Sequence, residues 1–525
     1  MGIYVNPGNC GFTDIRNDLY IDKSGLISLI NDTINTPRRL TCVSRPRRFG
    51  KSFAAQMLCA YYDRTCDSDA LFRDLEIAEN EDYGTYLNQY DVIYLDLTGI
   101  RLYSDNYKNA ASYISRQIIS ELKEMYPTIN AEQDLPYVLA DAVSVSGTKF
   151  IMIIDEWDAP IRENPEIQRE YLLFLRSLFK NGAITSKVFA AAYMTGILPI
   201  KKDDSQSAIS DFYEYTMLEA SQFAEYVGFT EPEVRNLCAE NHIDFKLMKE
   251  WYDGYHLENI DSIYNPNSVM KAVHFHHFRS FWTETSAAGS LLSFIKRDME
   301  GLGALIIQLI GGNSVPVDVS SFSNDLVTFH NKDDVLTLLV HLGYLTYDAE
   351  TTQVRIPNEE LRREFSRTIR QDKRPETMKR VAESDQLILD TIHMNEAAVA
   401  AEIEKIHMEN TNPLNANNEN SLRAVIQLAY FSYKDYYLKM EELPTGHGYA
   451  DIVYLPKQGE TVPALVVELK WNQSADAAIA QIKEQKYPQV LQGYGGEILL
   501  VGIAYDKEAR QKSYTCTIEK WQAPE

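Results

Sequence analysis

Short apolar runs alternate with amphipathic stretches along the first third of the chain. Strands are predicted at residues 39–44, 91–98, 150–154 and 187–195, and the run FIMII at 150–154 has the composition of a strand buried on both faces. Apolar residues recur at helical spacing between these strands, for instance at 170–179. Strands that alternate with helices predict an α/β fold built on a doubly wound parallel sheet.

The pattern changes beyond this first part. Residues 219–320 have mainly helical periodicity, and residues 333–357 predict a helix followed by a short hairpin, as in a winged helix. The stretch NTNPLNANNEN at 410–420 consists almost entirely of turn-forming residues and predicts a linker. The predicted domains are an N-terminal α/β domain (1–218), a helical extension (219–325), a winged-helix-like and helical connector (326–410) and a C-terminal domain (411–525).

Length and composition are those of a soluble protein with several domains. A chain of 525 residues is too long for one hydrophobic core. Hydrophobic residues at 45% and charged residues at 24% argue against wholesale disorder. No apolar run reaches the roughly 18–20 residues of a membrane helix, and the N-terminus lacks the features of a secretory signal. We therefore expect a cytoplasmic protein with no membrane partner.

Charge and cysteine content weaken or exclude further classes. A net charge of −24 disfavours nonspecific coating of nucleic acid by the whole chain. A local nucleic-acid site stays open, because residues 416–525 contain fourteen acidic and eleven basic residues. The six cysteines form no CxxC pair and no metal-binding spacing, so neither a disulfide framework nor a zinc site is predicted.

The segment SRPRRFGKS at 44–52 lies between a predicted strand and a predicted helix. At such a junction, successive backbone N–H groups and a helix N-terminus bind phosphates. Lys51 would reach the β- and γ-phosphates of a nucleotide, and the Ser52 hydroxyl would bind Mg²⁺. Arg45 replaces the first glycine of the GxxxxGK[ST] pattern, so a solvated basic loop is the alternative. The predicted nucleotide-binding residues of this loop are Arg45, Pro46, Arg47, Arg48, Phe49, Gly50, Lys51 and Ser52.

Two later strands end in residues that suit the same chemistry. The strand at 150–154 leads into Asp155, which would hold Mg²⁺, and Glu156, which would polarise the attacking water. The strand at 187–195 ends at Thr195, in the position of a polar sensor of the γ-phosphate. An ordinary acidic turn is the alternative for the first strand. The strand at 91–98 comes between the phosphate-loop segment and the acidic strand. This order fits the branch of P-loop ATPases that has an added strand and a catalytic glutamate, and it predicts binding of ATP or GTP.

Further polar residues are weaker candidates. Arg162 and Arg176 could contact the transferring phosphate as arginine fingers, although surface or ion-paired arginines are more common. His274, His276 and His277 are metal ligands by type, but no carboxylate accompanies them. An exposed helix end is therefore the better prediction for these histidines.

A carboxylate pair is predicted in the C-terminal domain. If the strands at 449–455 and 462–470 form an antiparallel hairpin, Asp451 lies opposite Glu468, and Lys470 shares the face of Glu468. This group is costly on an apolar hairpin unless a cation such as Mg²⁺, held by Asp451 and Glu468, compensates it. Lys470 could then orient or deprotonate water for phosphodiester hydrolysis. A cross-strand salt bridge is the alternative.

The flanking elements extend this prediction. A helix that follows Glu419 precedes the hairpin, and Glu419 could add a metal contact. A helix with Gln481 and Tyr487 comes after it, followed by a strand at 497–505. The order α-β-β-α-β with an acid followed by Glu-x-Lys predicts a restriction-endonuclease-like core.

These motifs together resemble a bacterial family that joins an AAA-ATPase-like domain to a PD-(D/E)xK nuclease superfamily domain. The residues that carry the resemblance are YIDK at 20–23, RPRRFGKS at 45–52, IDEWDAP at 154–160, WYDGY at 251–255, YNPNSV at 264–269, GYAD at 448–451, ELK at 468–470 and the segment from Gln481 to Tyr487. Arg45 is the usual variant in this family. The common Gly-Arg before the first nuclease acid is Gly448-Tyr449 here, which removes a basic group.

The resemblance implies ATP and Mg²⁺ as cofactors and nucleic acid as a partner of the C-terminal domain. The first hypothesis is an ATP-regulated, Mg²⁺-dependent nuclease with Glu156, Asp451, Glu468 and Lys470 as catalytic residues. The second is a nucleotide-dependent sensing protein whose nuclease-like domain binds nucleic acid or is inactive. The third is a nuclease with a purely structural phosphate-loop domain. The choice between DNA and RNA, and the oligomeric state, stay open.

Overall fold

A computed structural model describes most of the chain, in two compact units. The described residues are 2–200, 209–258, 260–282, 302–322, 329, 331–371, 375–410, 419–445, 448–457, 462–484, 496–506 and 513–521. The first unit comprises Met1–Glu284 and Pro316–Leu361, and the second comprises Thr285–Val315 and Arg362–Glu525. The four domains predicted from the sequence divide the chain more finely, and they stay a prediction.

The first unit is built on a parallel sheet. Its strands are β1 (Leu40–Ser44), β2 (Asp91–Asp96), β3 (Phe150–Asp155), β4 (Phe189–Gly196) and β5 (Tyr213–Tyr215). The strand order is β2-β3-β4-β1-β5, and all pairs are parallel. Every residue of β1, β3 and β4 is buried, as expected for a sheet covered on both faces. The predicted parallel α/β fold is confirmed, and β4 lies between β1 and β3.

Helices surround this sheet and contribute to one core. The helix Ala110–Met125 buries Ala110, Ile114, Ile118 and Leu122, which recur every fourth residue along one face. The α-helices of this part of the chain are Cys10–Arg16, Gly25–Asn31, Lys51–Tyr62, Asp69–Phe72, Tyr83–Tyr86, Leu97–Ile100, Ala110–Met125, Leu135–Ser146, Ala159–Glu163, Gln168–Phe179 and Gly182–Val188. The helix predicted to follow the segment 44–52 is present as Lys51–Tyr62.

The helical extension also contains a small sheet that was not predicted. Its helices are Glu231–Glu240, Phe245–Tyr252 and Pro266–Phe275, and its strands are β6 (Phe229–Thr230), β7 (Tyr255–Leu257) and β8 (Ile260–Tyr264), in the order β6-β8-β7. The helix starts follow standard capping chemistry. Thr230 and Glu233 form a capping box, and the side chains of Asp244 and Asn265 accept backbone N–H groups of the next two helices.

The predicted order of helix, turn and two strands is confirmed beyond residue 331. The helix Lys332–His341 is followed by β10 (Thr346–Asp348) and β11 (Gln353–Arg355), and β9 (Val315–Pro316) lies beside β11. The helix Glu359–Gln371 comes next. The turn of the hairpin carries the carboxylates of Asp348 and Glu350 and no cation. This turn is therefore unsuited to the phosphate contacts that a DNA-binding wing makes.

The second unit contains a mixed sheet of five strands. They are β12 (Tyr437–Thr445), β13 (Gly448–Pro456), β14 (Ala464–Trp471), β15 (Ile498–Asp506) and β16 (Ser513–Lys520), paired in chain order. Only the β14–β15 pair is parallel. The α-helices are Leu302–Ile310, Pro375–Ile392, Glu396–Asn410, Glu419–Ala429 and Ala475–Glu484. The mixed sheet agrees with the predicted nuclease-like fold. Most of the predicted linker, 411–418, lies outside the described residues.

Two general predictions can also be compared with the structure. All six cysteines are free thiols in the structure. Within the described ranges, no helix has the length and apolar character needed to cross a lipid bilayer.

Candidate functional site

The loop between β1 and the helix Lys51–Tyr62 has the backbone of a phosphate-binding turn. Gly50 takes a left-handed conformation (φ +93°), as does Arg48 (φ +69°), and no side chain caps the helix N-terminus. A Cβ added at Gly50 would meet no atom within 4 Å, so the space before the helix is open. The Lys51 Nζ donates to the carbonyl oxygens of Arg45 (3.1 Å) and Pro46 (2.9 Å). The loop is thus held from inside by the lysine expected to bind phosphates.

The Arg45 side chain is buried beside the loop. Its guanidinium is fully buried and donates to the carbonyl oxygens of Thr216 (2.8 Å), Ser44 (3.0 Å) and Phe223 (3.4 Å). Burial lowers the pKa of this guanidinium to about 10. Its backbone N–H donates to the Gly196 carbonyl. Arg45 therefore fixes the chain after β5 against the loop. Its assignment as a nucleotide-binding residue stays a prediction.

Three chain segments meet at the Asp155 carboxylate. The hydroxyl of Thr195 donates to Asp155 Oδ1, and the hydroxyl of Ser52 also hydrogen-bonds this carboxylate. Burial raises the pKa of the Asp155 carboxyl, although both hydrogen bonds act in the opposite direction. The Thr195 oxygen also accepts the backbone N–H of Glu156 (3.2 Å). The ends of β3 and β4 and the first turn of the phosphate-loop helix are brought together here, as predicted.

Glu156 forms a second polar group at the same edge. Its Oε1 lies 3.1 Å from Lys51 Nζ, and its Oε2 lies 2.7 Å from Arg162 Nη2. Burial alone would raise the pKa of Glu156, but Lys51 and Arg162 outweigh it and hold this pKa below its ordinary value. Glu156 has a left-handed backbone (φ +55°), which is strained for a non-glycine residue. The carboxylate is thus held between two cations.

Arg162, a candidate arginine finger, is ion-paired within the same group of residues. Its guanidinium binds Asp158 Oδ2 (2.8 Å) as well as Glu156, and only a tenth of its side chain is exposed. Asp158 in turn accepts the backbone N–H groups of Ile197 and Leu198 after β4. The Arg162 guanidinium therefore holds the Glu156 carboxylate in place. Arg176 lies exposed on the helix Gln168–Phe179.

The extension packs directly against the phosphate loop. The Phe49 ring lies 5.1 Å from the Tyr255 ring, and the Tyr255 hydroxyl donates to the Gly343 carbonyl (2.7 Å). The Asn265 side chain approaches the Arg47 carbonyl (3.4 Å). Tyr255 and Asn265 belong to the WYDGY and YNPNSV motifs, to which the sequence assigned no role. The aromatic and amide side chains of these motifs suggested that they make specific contacts. The spacing of residues along the chain could not show which residues they contact.

Gly343, in the winged-helix-like segment, lies against Pro46 of the loop. Gly343 has φ +80°, and a Cβ added there would lie 2.6 Å from Pro46 Cβ. We expect Gly343→Ala to lower the free energy of unfolding for two reasons. The left-handed backbone costs about 1–2 kcal/mol with any side chain, and overpacking against Pro46 costs a further ~1–3 kcal/mol. Gly147→Ala is the matched control, because Gly147 has φ +74° and open space around it. Urea unfolding of both variants checks this prediction, and equal losses would contradict it.

The β13–β14 register agrees with the predicted hairpin. Ile452 pairs with Val467 and Val453 with Val466. One further step in this register sets Asp451 opposite Glu468. The side chain of Asp451 and residues 458–461 between the two strands lie outside the described part of the chain.

Glu468 and Lys470 form a buried ion pair on β14. Lys470 Nζ lies 3.1 Å from Glu468 Oε1, and Gln481 Nε2 donates to the same oxygen. Glu468 is 2% exposed and Lys470 8% exposed. Gln481 reaches the pair because its helix, Ala475–Glu484, approaches β15 closely: a Cβ added at Gly502 would lie 2.4 Å from the Ala475 carbonyl. Glu468 and Lys470 therefore lie together, as predicted, and the accessory candidate Gln481 joins them.

Two accessory candidates and the histidines complete the comparison. Glu419 begins the helix Glu419–Ala429, but its side chain is not described, and Tyr487 lies outside the described residues. His274 and His276 are exposed where the helix Pro266–Phe275 ends, as predicted for a helix end. Among the side chains that can be described, no group of three or more His, Cys, Asp or Glu could hold a metal ion.

The donor chemistry fits Mg²⁺ in both units. In the first unit, a buried carboxylate (Asp155) and a hydroxyl (Ser52) are adjacent, and hard oxygen donors of this kind suit Mg²⁺ with water and phosphate completing the shell. In the second unit, the Glu468 carboxylate is buried beside a strand position that carries a second acid, Asp451. Both sites supply one or two carboxylates, as Mg²⁺ sites usually do.

Comparisons with known proteins agree with the two units. Residues 8–205 match the family described as Predicted AAA-ATPase, and residues 417–515 match the PD-(D/E)XK nuclease superfamily. An uncharacterized protein in the vnfD 5' region of Azotobacter chroococcum mcd 1 is 23% identical over 94% of this chain and 93% of that protein.

Similar solved structures include two proteins of Aeropyrum pernix. They are the ORC2 protein in ADPNP-ADP complexes (12% identity, TM-score 0.31, 68% of this chain and 97% of that chain) and the ORC1 protein in complex with DNA (11%, 0.25, 68% and 94%). The family matches and the observed sheets carry the assignment. The chain joins an AAA-ATPase-like domain at residues 8–205 to a PD-(D/E)XK nuclease superfamily domain at residues 417–515.

Proposed function

We propose that the first unit binds and hydrolyses ATP and that the second unit cleaves phosphodiester bonds of nucleic acid with the help of Mg²⁺. The observation that carries the first half is the meeting of Lys51, Ser52, Asp155, Glu156 and Thr195 at one edge of the sheet. For the second half it is the buried Glu468–Lys470 pair beside the position of Asp451.

The residues of the first site divide the work of phosphoryl transfer. Lys51 leaves Glu156 and the loop carbonyls to bind the β- and γ-phosphates, because an ammonium binds the doubly charged phosphate more strongly than one carboxylate. Asp155 and Ser52 would hold Mg²⁺, which would neutralise phosphate charge. Glu156, released by Lys51, orients the attacking water and accepts its proton. Arg162 keeps the Glu156 carboxylate from turning away.

Replacing Glu156 with glutamine separates binding from hydrolysis. The glutamine amide has the size of the carboxylate but cannot accept the proton of water, so we expect turnover to fall by about 10²–10⁴-fold with little change in nucleotide affinity. Phosphate release and binding of a fluorescent ATP analogue measure the two effects. Glu166→Gln, on the short helical turn Pro165–Ile167, is the control. Undiminished turnover in Glu156→Gln would remove Glu156 from this role.

The residues of the second site suit metal-assisted hydrolysis. Glu468 and Asp451 would hold the cation, which would supply Lewis-acid polarisation of the phosphate. Lys470 would move from Glu468 to the attacking water or to the negative charge that develops on the phosphoryl oxygens. Gln481 keeps the Glu468 carboxylate oriented through its amide.

Contacts between the phosphate loop and the extension favour control by nucleotide. Pro46 and Phe49 pack against residues of the extension and of the winged-helix-like segment, so a change of loop conformation on ATP binding displaces these neighbours. The alternative function, a nucleotide-dependent sensor with an inactive nuclease-like domain, relies on the same contacts. Nuclease assays with and without ATP distinguish the two, since cleavage that responds to ATP requires both halves.

A further inference from the structure

A cationic and aromatic surface follows the helix Pro266–Phe275 in the first unit. No aspartate or glutamate occurs between Asp261 and Glu284, although the chain has 75 acidic residues among 525. His274, Phe275, His276, His277 and Arg279 are all exposed in this stretch, and we call these five residues the His-Phe-Arg patch. Phe275 is 54% exposed, which is unusual for a side chain whose burial would be favourable. The charge of the patch is opposite to that of the chain as a whole.

The patch is firmly supported from below. The Tyr252 hydroxyl donates to the Arg279 carbonyl (2.8 Å) and accepts the Arg279 N–H (3.1 Å), so the backbone of Arg279 is held on both sides. The backbone is also held at Phe281, two residues after Arg279, where its N–H donates to the Glu360 carboxylate (2.7 Å). Tyr252 and Phe281 are fully buried. The exposed side chains therefore project from a rigid base, and little ordering would be needed on binding.

The side chains of the patch are arranged around aromatic rings. The Arg279 guanidinium lies 5.0 Å from the centre of the Phe281 ring and 5.9 Å from that of the Phe275 ring. Its planar fork is suited to phosphate, and imidazole N–H groups are further donors. The exposed ring of Phe275 offers an apolar face beside these donors.

The charged residues of the neighbouring helix reduce the positive charge around the patch but do not reverse it. The helix Phe245–Tyr252 packs against Pro266–Phe275 and carries Lys246, Lys249 and Glu250. Lys249 is paired with Glu231 and Asp253. Glu250 is the one acidic residue of this helix, and Lys246 contributes a charge of the opposite sign.

We propose that the His-Phe-Arg patch binds single-stranded nucleic acid, with phosphates on Arg279 and the histidines and an unpaired base on Phe275. Stacking beside cations is the chemistry by which proteins bind single strands without reading their sequence. A base in a duplex has both faces covered, so Phe275 favours an unpaired strand over a duplex. The class of ligand rests on the proposed nuclease function, whereas the location of the surface does not.

Binding of a labelled single-stranded oligonucleotide to the full-length protein tests this proposal. Anisotropy is measured in EDTA without ATP, so that neither cleavage nor hydrolysis contributes. We expect Phe275→Ala to raise Kd on the order of tenfold, the usual effect of removing one stacking aromatic side chain. Tyr137→Ala is the control, because Tyr137 is an aromatic residue of the same unit with 53% exposure. Both side chains are largely exposed, so both variants should keep the melting temperature of the wild type.

Charge provides a second and independent variant. His274→Glu/His277→Glu should weaken binding more than Asn130→Glu/Asn181→Glu, which adds the same charge at exposed positions elsewhere in the unit. Equal Kd values for Phe275→Ala and Tyr137→Ala, together with equal values for the two double variants, would overturn the proposal. Binding to phosphatidylserine vesicles without binding to the oligonucleotide would also overturn it, in favour of a membrane surface. If the wild-type protein bound the oligonucleotide through the patch but had no nuclease or ATPase activity, the proposed function would be rejected and the proposed binding surface would stand.

Discussion

Replacing Lys51 with alanine abolishes nucleotide binding, so that ATP·Mg²⁺ no longer raises the melting temperature of the protein. In the wild type, ATP at about 100 times its Kd adds about 2.7 kcal/mol to stability. For a domain of this size, that energy corresponds to a shift of roughly 5–10 °C. Lys51 is the buried ammonium of the phosphate loop, and its Nζ is the group that contacts the loop carbonyls from inside.

The comparison must be made between samples of the same variant with and without ATP. Lys51 also holds two loop carbonyls and Glu156, so its removal changes stability in the absence of nucleotide. Lys187→Ala is the control, since Lys187 is exposed on the helix Gly182–Val188. An ATP-induced shift in Lys51→Ala equal to that of Lys187→Ala would refute the assignment of the loop.

Replacing Glu468 with glutamine removes cleavage of nucleic acid. The substitution keeps the shape of the side chain but deletes the charge that holds the cation, and Lewis-acid stabilisation is worth several kcal/mol. We therefore expect the rate to fall by on the order of 10³-fold or more, and titration calorimetry to show weaker Mg²⁺ binding. Because the substitution also removes one partner of the buried Glu468–Lys470 pair, we expect stability to fall by about 3–5 kcal/mol. Cleavage is therefore measured well below the melting temperature of the variant.

A surface acid of the same domain serves as the control for this variant. Glu497 is paired with Lys520 and its side chain is 49% exposed, so Glu497→Gln should leave cleavage and metal binding unchanged. Equal cleavage by Glu468→Gln and Glu497→Gln would exclude Glu468 from the catalytic site.

Much of the sheet architecture could be predicted because burial imposes a strict pattern. The strands β1, β3 and β4 are wholly buried, so each is a continuous apolar run in the sequence. The β13–β14 register was also predictable, because one residue of slip would turn every side chain to the opposite face. The helix Lys51–Tyr62 follows from the glycine before it and the apolar residues within it.

Elements without such a pattern were missed. The strand β5 has only three residues and none of them is buried, while β6 has two. The edge strands β12 and β16 mix polar and apolar side chains, since an edge strand is covered less completely. Short or edge strands are stabilised by their neighbours, which local sequence does not reveal.

The candidate sites were predictable as motifs but not as contacts. Asp155, Glu156 and Thr195 were placed by the rule that parallel strands end at one edge. The burial of Arg45 among backbone carbonyls and the contact of Gly343 with Pro46 depend on residues far apart in the chain. Spacing alone could not distinguish an arginine that binds phosphate from one that fixes the loop.

Cleavage by the pure protein tests the central claim most directly. Single- and double-stranded DNA and RNA are incubated with Mg²⁺ or Mn²⁺, with and without ATP, beside an Asp451→Ala/Glu468→Ala control. We expect metal-dependent cleavage that responds to ATP and disappears in the control. Cleavage that persists in the control, or an absence of cleavage on every substrate while ATP is still bound, would contradict an ATP-regulated nuclease.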